Sequence, residues 1–390
     1  MNGTSFGFAQ SVTGGGNAVP KPVNNAEELR KALAQLKPDG PTVIEIVAGK
    51  DKNAYDFGSG AGGTKQTIEV KARNLTLRPS GAPVLKNVRL SLDCNVSDNI
   101  LISDLVFRSE GAADGARDAI DIVASKQGEA NKVSRVRITH CSFNGYYDIA
   151  VDFNTDSEGP KVLATIDHCF FYDDVPGELG PGKAPFKNRG SINISAKDAP
   201  LGNAFVTVAN NVYIDVWRRQ PRVARECFAH IYNNLLYRWG FTNKPREEGE
   251  WRGMEVGGGK ERVMNTVDGT ALIQANRFIP WVERLGDDRE LLIHKQAHVD
   301  LAGATPLPNR FDNEKGKEVS SPITVPSDLS VTLQLDRFYK DVDENFVVPA
   351  VTAKDKVAWG NVLREAGPTG VAIGKGDARE ALQKFLEKAP

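Results

Sequence analysis

The chain has 390 residues, of which 40% are hydrophobic and 25% are charged, as in an ordinary folded protein. Its 49 Lys and Arg residues balance 50 Asp and Glu residues, and the net charge of −1 argues against a nucleic-acid binder driven by overall charge. No run approaches the roughly 18 apolar residues of a membrane span. The 4 cysteines form no Cys-x-x-Cys pair and the 5 histidines no His-Glu-x-x-His motif, which excludes a zinc site of the usual spacing.

The N-terminal region predicts a short helix and the first strands. Met1-Asn2-Gly3-Thr4 begins the chain without a basic region or an apolar run, so no signal peptide is predicted. A cytoplasmic protein and a mature secreted chain with an added Met1 both remain open. Asn25 precedes acidic residues and apolar positions at helical spacing, which predicts a capping helix over residues 25–34. Residues 41–47 and 75–77 predict the first strands.

Five short apolar stretches recur through the middle of the chain, each with a small or amide residue two positions before a large residue. These small or amide residues are Cys141, Cys169, Asn211, Asn234 and Asn276. The spacing of 23 residues between Asn211 and Asn234 suits one turn of a parallel β-helix. Stacked turns lie about 4.8 Å apart, so Asn can pass amide hydrogen bonds from turn to turn and Cys can fill the same slot. We predict a structural column with buried, reduced cysteines; a Cys141–Cys169 disulfide is the alternative if their coils are adjacent.

The C-terminal part of the chain has a different pattern. Residues 281–330 are polar and carry several prolines, which predicts loops along the outside of the ladder. Residues 377–388 predict an amphipathic terminal helix. We expect residues 1–390 to form a single β-helix domain.

One acidic constellation could bind a metal ion. Asp148 and Asp152 would lie about 13 Å apart on a straight strand, so they converge only if the strand bends or begins at Asp148. Asp118 lies thirty residues earlier at the lip of another predicted strand, and Asp121 after it is expected to face outward. Oxygen ligands from stacked turns suit Ca²⁺. The alternative is a solvated acidic face.

One basic constellation could bind an anion. Four arginines lie close together between two predicted strands: Arg218, Arg219, Arg222 and Arg225. Without interleaved acids they would repel one another unless an anion lies among them, and guanidinium groups match carboxylates in bidentate fashion. The cluster therefore favours an anion-binding groove over a solvated turn.

Several motifs together resemble the pectate lyases of polysaccharide lyase family 1. The resemblance covers about residues 6–280, and the C-terminal residues match no motif of that family. The motifs are Phe6-Gly-Phe-Ala with Val12-Thr-Gly-Gly-Gly16, Asp118-Ala-Ile, Ile138-Thr-His-Cys-Ser-Phe143, and Arg219-Gln-Pro-Arg-Val-Ala-Arg225 followed by His230-Ile-Tyr-Asn-Asn234.

The resemblance implies an all-β fold, a right-handed parallel β-helix of the pectin-lyase-like type with short N- and C-terminal helices. It implies Ca²⁺-dependent β-elimination on polygalacturonate by a secreted, monomeric enzyme that binds acidic polysaccharide and neither nucleic acid nor membrane. The residues implied are the calcium ligands Asp118, Asp148 and Asp152, the base Arg219, a catalytic cation at Lys187 or Arg189, and the substrate-binding Arg218, Arg222 and Arg225.

The chain departs from the family pattern at several positions. Thr139 stands where an Asp usually precedes the histidine, and Ala116 stands where some members have a further calcium ligand. Arg219 and Arg225 are six residues apart, one more than in the commonest family spacing, which leaves the register of one of them open. These departures bear on calcium affinity and on the exact polymer.

Two other functions are weighed against the lyase. The first is a polygalacturonase-like hydrolase, suggested by Asn154-Thr-Asp156 and Asp173-Asp174, although no Gly-His-Gly follows. The second is a non-catalytic polysaccharide-binding β-helix.

Overall fold

The computed structural model of the protein describes residues 6–37, 39–49, 51, 54–58, 67–109, 118–129, 131–146, 148–172, 190–196, 201–216, 219–239, 254–257, 268–280, 292–293, 298–300, 308–313, 315–319, 351–354, 356–369 and 378–388. Strands from successive coils stack into three sheets, named A, B and C. Each complete coil contributes one strand to each sheet in turn, and the strand pairs of the described residues are parallel except the final pair of sheet B. The prediction of an all-β parallel β-helix with short terminal helices is confirmed.

Sheet A has ten strands in the described part of the chain, and they follow chain order across the sheet. They are β1 (Pro20–Val23), β2 (Thr42–Val47), β4 (Arg73–Ser80), β7 (Asp98–Ser103), β10 (Val133–Thr139), β13 (Lys161–Asp167), β16 (Ala204–Ala209), β19 (Phe228–Tyr232), β22 (Thr270–Gln274) and β25 (His298–Asp300).

Sheet B has nine strands among the described residues. They are β5 (Val84–Lys86), β8 (Val106–Arg108), β11 (Ser142–Asn144), β14 (Phe170–Tyr172), β17 (Val212–Ile214), β20 (Leu235–Trp239), β23 (Arg277–Pro280), β26 (Arg310–Asp312) and β27 (Glu318–Val319).

Sheet C has eight strands within the same ranges. They are β3 (Thr67–Val70), β6 (Arg89–Asp93), β9 (Asp118–Ala124), β12 (Ile149–Thr155), β15 (Gly190–Ser195), β18 (Arg222–Val223), β21 (Glu255–Val256) and β24 (Leu292–Ile293).

The predicted Asn column lies at the corner between sheets A and B. Asn211 Nδ2 donates to Asn234 Oδ1 at 3.0 Å, and Asn234 Nδ2 donates to Asn276 Oδ1 at 2.9 Å. Asn276 Nδ2 continues to Asn309 Oδ1 at 2.9 Å, one coil beyond the predicted column. Cys169 continues it at the other end, where its backbone N–H donates to Asn211 Oδ1 at 2.8 Å. These buried amides satisfy one another from coil to coil, so their role is structural.

The interior of the coil is apolar and regularly stacked. Four aromatic rings from successive coils stack in parallel at centroid distances of 5.0–5.1 Å: Phe107, Phe143, Phe171 and Tyr213. All four cysteines are buried free thiols, so the Cys141–Cys169 disulfide does not form. The same interior slot recurs in successive coils, with Cys141 and Cys169 in the first two and Asn in those that follow.

Terminal segments cover the outer faces of sheets A and B. The N-terminal segment lies across sheet A, where Phe8 and Ala9 donate backbone hydrogen bonds to the hydroxyls of Thr207 and Thr165. Two C-terminal helices, α2 (Trp359–Glu365) and α3 (Ala378–Lys388), form a second apolar core with the outward residues of sheet B. Helix α2 is absent from the sequence prediction.

The N-terminal helix and the segment 281–330 can be compared with their predictions. Helix α1 (Ala26–Ala34) begins after Asn25, whose side chain accepts from the Glu28 N–H, and it buries Leu29 and Leu33 in the main core. Strands β24 to β27 fall inside the segment 281–330, which the sequence predicts as loops; most of that segment lies outside the described residues. No helix in the described part of the chain has the length and apolarity needed to cross a membrane.

Candidate active site

The outer face of sheet C carries a column of polar residues, one from each coil. Strand alternation turns residues such as Ile120, Val151 and Ile192 into the core, and their neighbours therefore point outward. In register across the sheet, the outward residues are Glu69, Ser91, Asp121, Asp152, Asn193, Arg222 and Glu255. Terminal segments cover the outer faces of sheets A and B, whereas the outer face of sheet C carries this polar column, in which Asp121 and Glu255 are buried.

Three carboxylates of this face form the acidic cluster, which we define as Asp118, Asp121 and Asp152. One oxygen of each lies within 4.8 Å of the others. Burial, with the neighbouring carboxylates Asp121 and Asp152, raises the pKa of Asp118 to about 7. Burial also raises the pKa of Asp152 to about 6, although its Oδ1 accepts from Asn193 Nδ2 at 2.7 Å. Concentrated negative charge of this kind favours a cation.

One arginine already lies against the acidic cluster. Arg89 Nε donates to Asp121 Oδ2 at 2.6 Å, and Arg89 Nη2 also contacts this oxygen. The same Nη2 lies 3.7 Å from Asp118 Oδ2. The guanidinium therefore partly compensates two of the three carboxylates from the preceding coil.

Asp148 and Arg219 form a pair beside the acidic cluster. Asp148 immediately precedes β12, as its convergence with Asp152 requires, and its charge raises the pKa of both Asp118 and Asp152. Its Oδ1 lies 3.4 Å from Arg219 Nη1. Among the described residues, Arg219 Nε is buried and has no hydrogen-bond partner. The predicted base thus contacts Asp148, which is itself one of the three predicted metal ligands.

The backbone and side chain of Arg219 are held by the coil below it. The Arg219 carbonyl accepts from Ser191 Oγ at 2.6 Å and from the Ile192 N–H at 3.0 Å. A Cβ added to Gly190 would lie 3.1 Å from Arg219 Cβ and Cδ, so the arginine side chain lies directly over this glycine. Gly190 in turn donates its N–H to the Asp148 carbonyl at 2.7 Å.

The other arginines of the basic constellation are dispersed. Arg222 is on β18 within the polar column, and its Nε donates to the Gly257 carbonyl at 3.2 Å. Arg225 lies past the far end of β18, where its N–H donates to the Asp268 carbonyl at 2.8 Å and its φ is 55°. The structure therefore brings Arg219 to the acidic cluster, Arg222 to the polar column of sheet C, and Arg225 to the turn that leads toward sheet A.

Some predicted residues lie outside the described residues: Arg218, Lys187, Arg189, Asp173 and Asp174. Asp156, the remaining acid of the hydrolase alternative, follows β12 and accepts from the Glu158 N–H at 2.9 Å. Such a contact is typical of a local turn.

Thr139 does not bear on the acidic cluster. It ends β10 on sheet A, where its hydroxyl donates to Asp167 Oδ2 at 2.8 Å. Arg137 and His168 also contact the Asp167 carboxylate. The missing family Asp at this position therefore changes a buried polar network and leaves the outer face of sheet C unaffected.

The acidic cluster fits a hard divalent cation. Asp118 Oδ1 and Asn193 Oδ1 are buried and accept no hydrogen bond from the described residues. Carboxylate and amide oxygens are the ligands that Ca²⁺ uses. A bound cation would satisfy atoms that otherwise carry the cost of burial without a partner.

The sequence did not predict three residues of the candidate site: Arg89, Gly190 and Asp121. Asp121 was expected to face outward but was not predicted as a member of the acidic cluster, because its register with Asp152 on the neighbouring strand is set by the fold. No sequence pattern indicated Arg89 or Gly190.

Two of three comparisons with known proteins, one by sequence and one by structure, point to pectin and pectate lyases. No family model matches the chain. A pectin lyase from Pectobacterium carotovorum is 27% identical over 237 residues, which are 59% of this chain and 66% of the relative. The chain thus spans just under two thirds of that protein's length.

Solved structures match much more of the chain. A pectate lyase variant from Xanthomonas campestris has a TM-score of 0.58 at 17% identity, covering 93% of this chain and 98% of the other. A pectate lyase bound to a hexasaccharide has a TM-score of 0.57 at 14% identity, covering 95% and 98%. A pectate lyase from Paenibacillus sp. has a TM-score of 0.56 at 17% identity, covering 100% of both chains. The protein therefore has the parallel β-helix fold of the pectate lyases, and the resemblance to these polysaccharide lyases that its motifs indicate is confirmed.

Proposed function

We propose that this protein is a pectate lyase that cleaves polygalacturonate by Ca²⁺-dependent β-elimination and releases 4,5-unsaturated products. The observation that carries the proposal is the placement of Arg219 beside the acidic cluster on the outer face of sheet C. An acidic metal site, and an arginine that reaches it across one intervening coil, are the two parts that elimination from a uronate needs. The curated relative and the structural neighbours support the same reaction class.

The calcium ligands in this proposal are Asp118, Asp148 and Asp152, with Asp121 as a further carboxylate. The buried Oδ1 of Asp118, which accepts no hydrogen bond from the described residues, supports this ligand set. When bound, Ca²⁺ would neutralise the substrate carboxylate and favour the negative charge that develops beside C5.

Arg219 is the proposed base. It takes the C5 proton, the C5–H electron pair forms the C4–C5 double bond, and the C4–O bond breaks. The leaving oxygen then takes a proton. A guanidinium normally stays charged at neutral pH, so Arg219 must give up its proton before it can act. Its fixed carbonyl and its packing over Gly190 support a position set before substrate arrives.

Other cations in this proposal bind uronate carboxylates. Arg222 lies in the groove one coil beyond Asn193. Arg218 and Arg225 are assigned as further substrate partners, and Lys187 or Arg189 as the second catalytic cation, from the motif alone. An acidic polymer substrate also suits a secreted, monomeric enzyme.

A single assay separates the three candidate functions. On polygalacturonate, a lyase produces ultraviolet absorbance from the unsaturated product, a hydrolase produces reducing ends without it, and a binding module produces neither. We expect EDTA to abolish the absorbance and Ca²⁺ to restore it, while Mg²⁺ restores it poorly because Mg²⁺ demands a smaller octahedral site. Asp152→Asn should behave like the chelated protein, and Asp98→Asn, on sheet A, serves as the matched control. Full activity after exhaustive chelation would contradict the calcium requirement.

A further inference from the structure

We infer that Arg89 is an internal counter-cation of the acidic cluster that competes with Ca²⁺ for Asp121 and Asp118. The inference deepens the proposed function, because it concerns how the same site is loaded. It rests on the proposed function only in taking Ca²⁺ as the ion.

The contacts of Arg89 define the competition. Its Nε and Nη2 both contact Asp121 Oδ2, and Nη2 lies 3.7 Å from Asp118 Oδ2. Only 6% of the Asp121 side chain and 4% of the Asp118 side chain are exposed, whereas 31% of the Arg89 side chain is. A single positive charge therefore reaches into the buried acidic cluster from its solvent-exposed rim.

A divalent cation bound by the acidic cluster would share two of its carboxylates, those of Asp118 and Asp121, with Arg89. An ion bound by the acidic cluster would lie within a few ångströms of the positive charge of the Arg89 guanidinium. Like-charge repulsion and the loss of Asp121 Oδ2 as a ligand both weaken Ca²⁺ binding to the substrate-free protein. Because the Arg89 side chain is partly exposed, its guanidinium can move toward solvent when the ion binds.

The same contacts stabilise the metal-free protein. Without Arg89, two buried carboxylates and the half-buried Asp152 would face one another with less compensation. Removing this charge should therefore lower the stability of the metal-free protein and tighten Ca²⁺ binding at the same time. A merely structural arginine would give the first effect without the second.

The test is isothermal titration of CaCl₂ into the EDTA-stripped, dialysed full chain. We expect Arg89→Gln to lower the Kd for Ca²⁺ at least tenfold, and its melting temperature to fall in EDTA and recover with Ca²⁺. Arg89→Lys keeps the charge but loses the fork, so its Kd should fall less. Arg78→Gln is the matched control, because Arg78 pairs with Glu45 on sheet A, and its Kd should equal that of the wild type.

The outcomes separate this inference from the proposed function. An unchanged or weaker Kd in Arg89→Gln, or no binding in either protein, overturns the inference. Should Arg89→Gln not fold, Arg89→Lys decides, and a Kd that fails to fall overturns it. Tighter binding in a protein without lyase activity would refute the proposed function and leave the inference standing. Lyase activity together with an unchanged Kd in Arg89→Gln would overturn the inference and leave the proposed function standing.

Discussion

Gly190→Ala tests whether the position of Arg219 controls turnover. The added Cβ would lie 2.8 Å from Ile149 Cδ1 and 3.1 Å from Arg219 Cβ and Cδ. The Ile149 contact involves the tip of a side chain, which can rotate away. The Arg219 contacts involve the base of its side chain, so the guanidinium must shift by a few tenths of an ångström or more.

The expected loss follows from this displacement. A misplacement on the order of 1 Å can cost about 100-fold in rate, so we expect kcat to fall by about 10- to 100-fold with little change in KM. Overpacking of this kind costs about 1–3 kcal/mol of stability, which leaves the protein folded. Initial rates of ultraviolet absorbance on polygalacturonate and a thermal melt measure the two effects separately.

Gly360→Ala is the matched control. A Cβ at this position in α2 meets no atom within 4 Å, so kcat should stay unchanged. The reasoning is refuted if Gly190→Ala retains the wild-type kcat, or if its kcat falls only in proportion to the unfolded fraction at the assay temperature.

Three further predictions follow from the site and the fold. Arg219→Lys should lower turnover by about 10²–10⁴-fold, the usual contribution of a general base, whereas Arg225→Ala should mainly raise KM. Steady-state kinetics on polygalacturonate distinguishes the two effects. In EDTA, the free energy of unfolding should fall as pH rises from about 4 toward 7. Burial raises the pKa of Asp118 to about 7 and that of Asp152 to about 6. Over this pH range the folded protein therefore holds protons that the unfolded chain has released. Thermal melts across this pH range should show the fall, and added Ca²⁺ should oppose it at the upper end. Asn234→Ala should destabilise by about 3 kcal/mol or more in urea unfolding, because it leaves several buried donors and acceptors unsatisfied; a loss below 1 kcal/mol would contradict the structural role of the column.

The sequence by itself determined the features that repeat in every coil. A corner of the β-helix places the same side chain above itself, so Cys169, Asn211, Asn234 and Asn276 could be recognised as one column from their spacing and their apolar flanks. Asp118 and Arg219 could be identified because they lie within motifs that resemble those of a known family, and Asp152 because it belongs to an acidic constellation in the sequence.

Only the tertiary structure decided which residues from different coils meet. Asp121 and Asp152 come into register only once the segment between β9 and β12, which includes β10 and β11, has set the alignment of those strands. Arg89 reaches the acidic cluster from the preceding coil, and Gly190 matters only because Arg219 folds over it. Local sequence patterns encode strand alternation and turns, but the lengths and paths of the intervening loops set the contacts between coils. The packing of α2 and α3 on sheet B likewise joins segments distant in sequence, which no local pattern could specify.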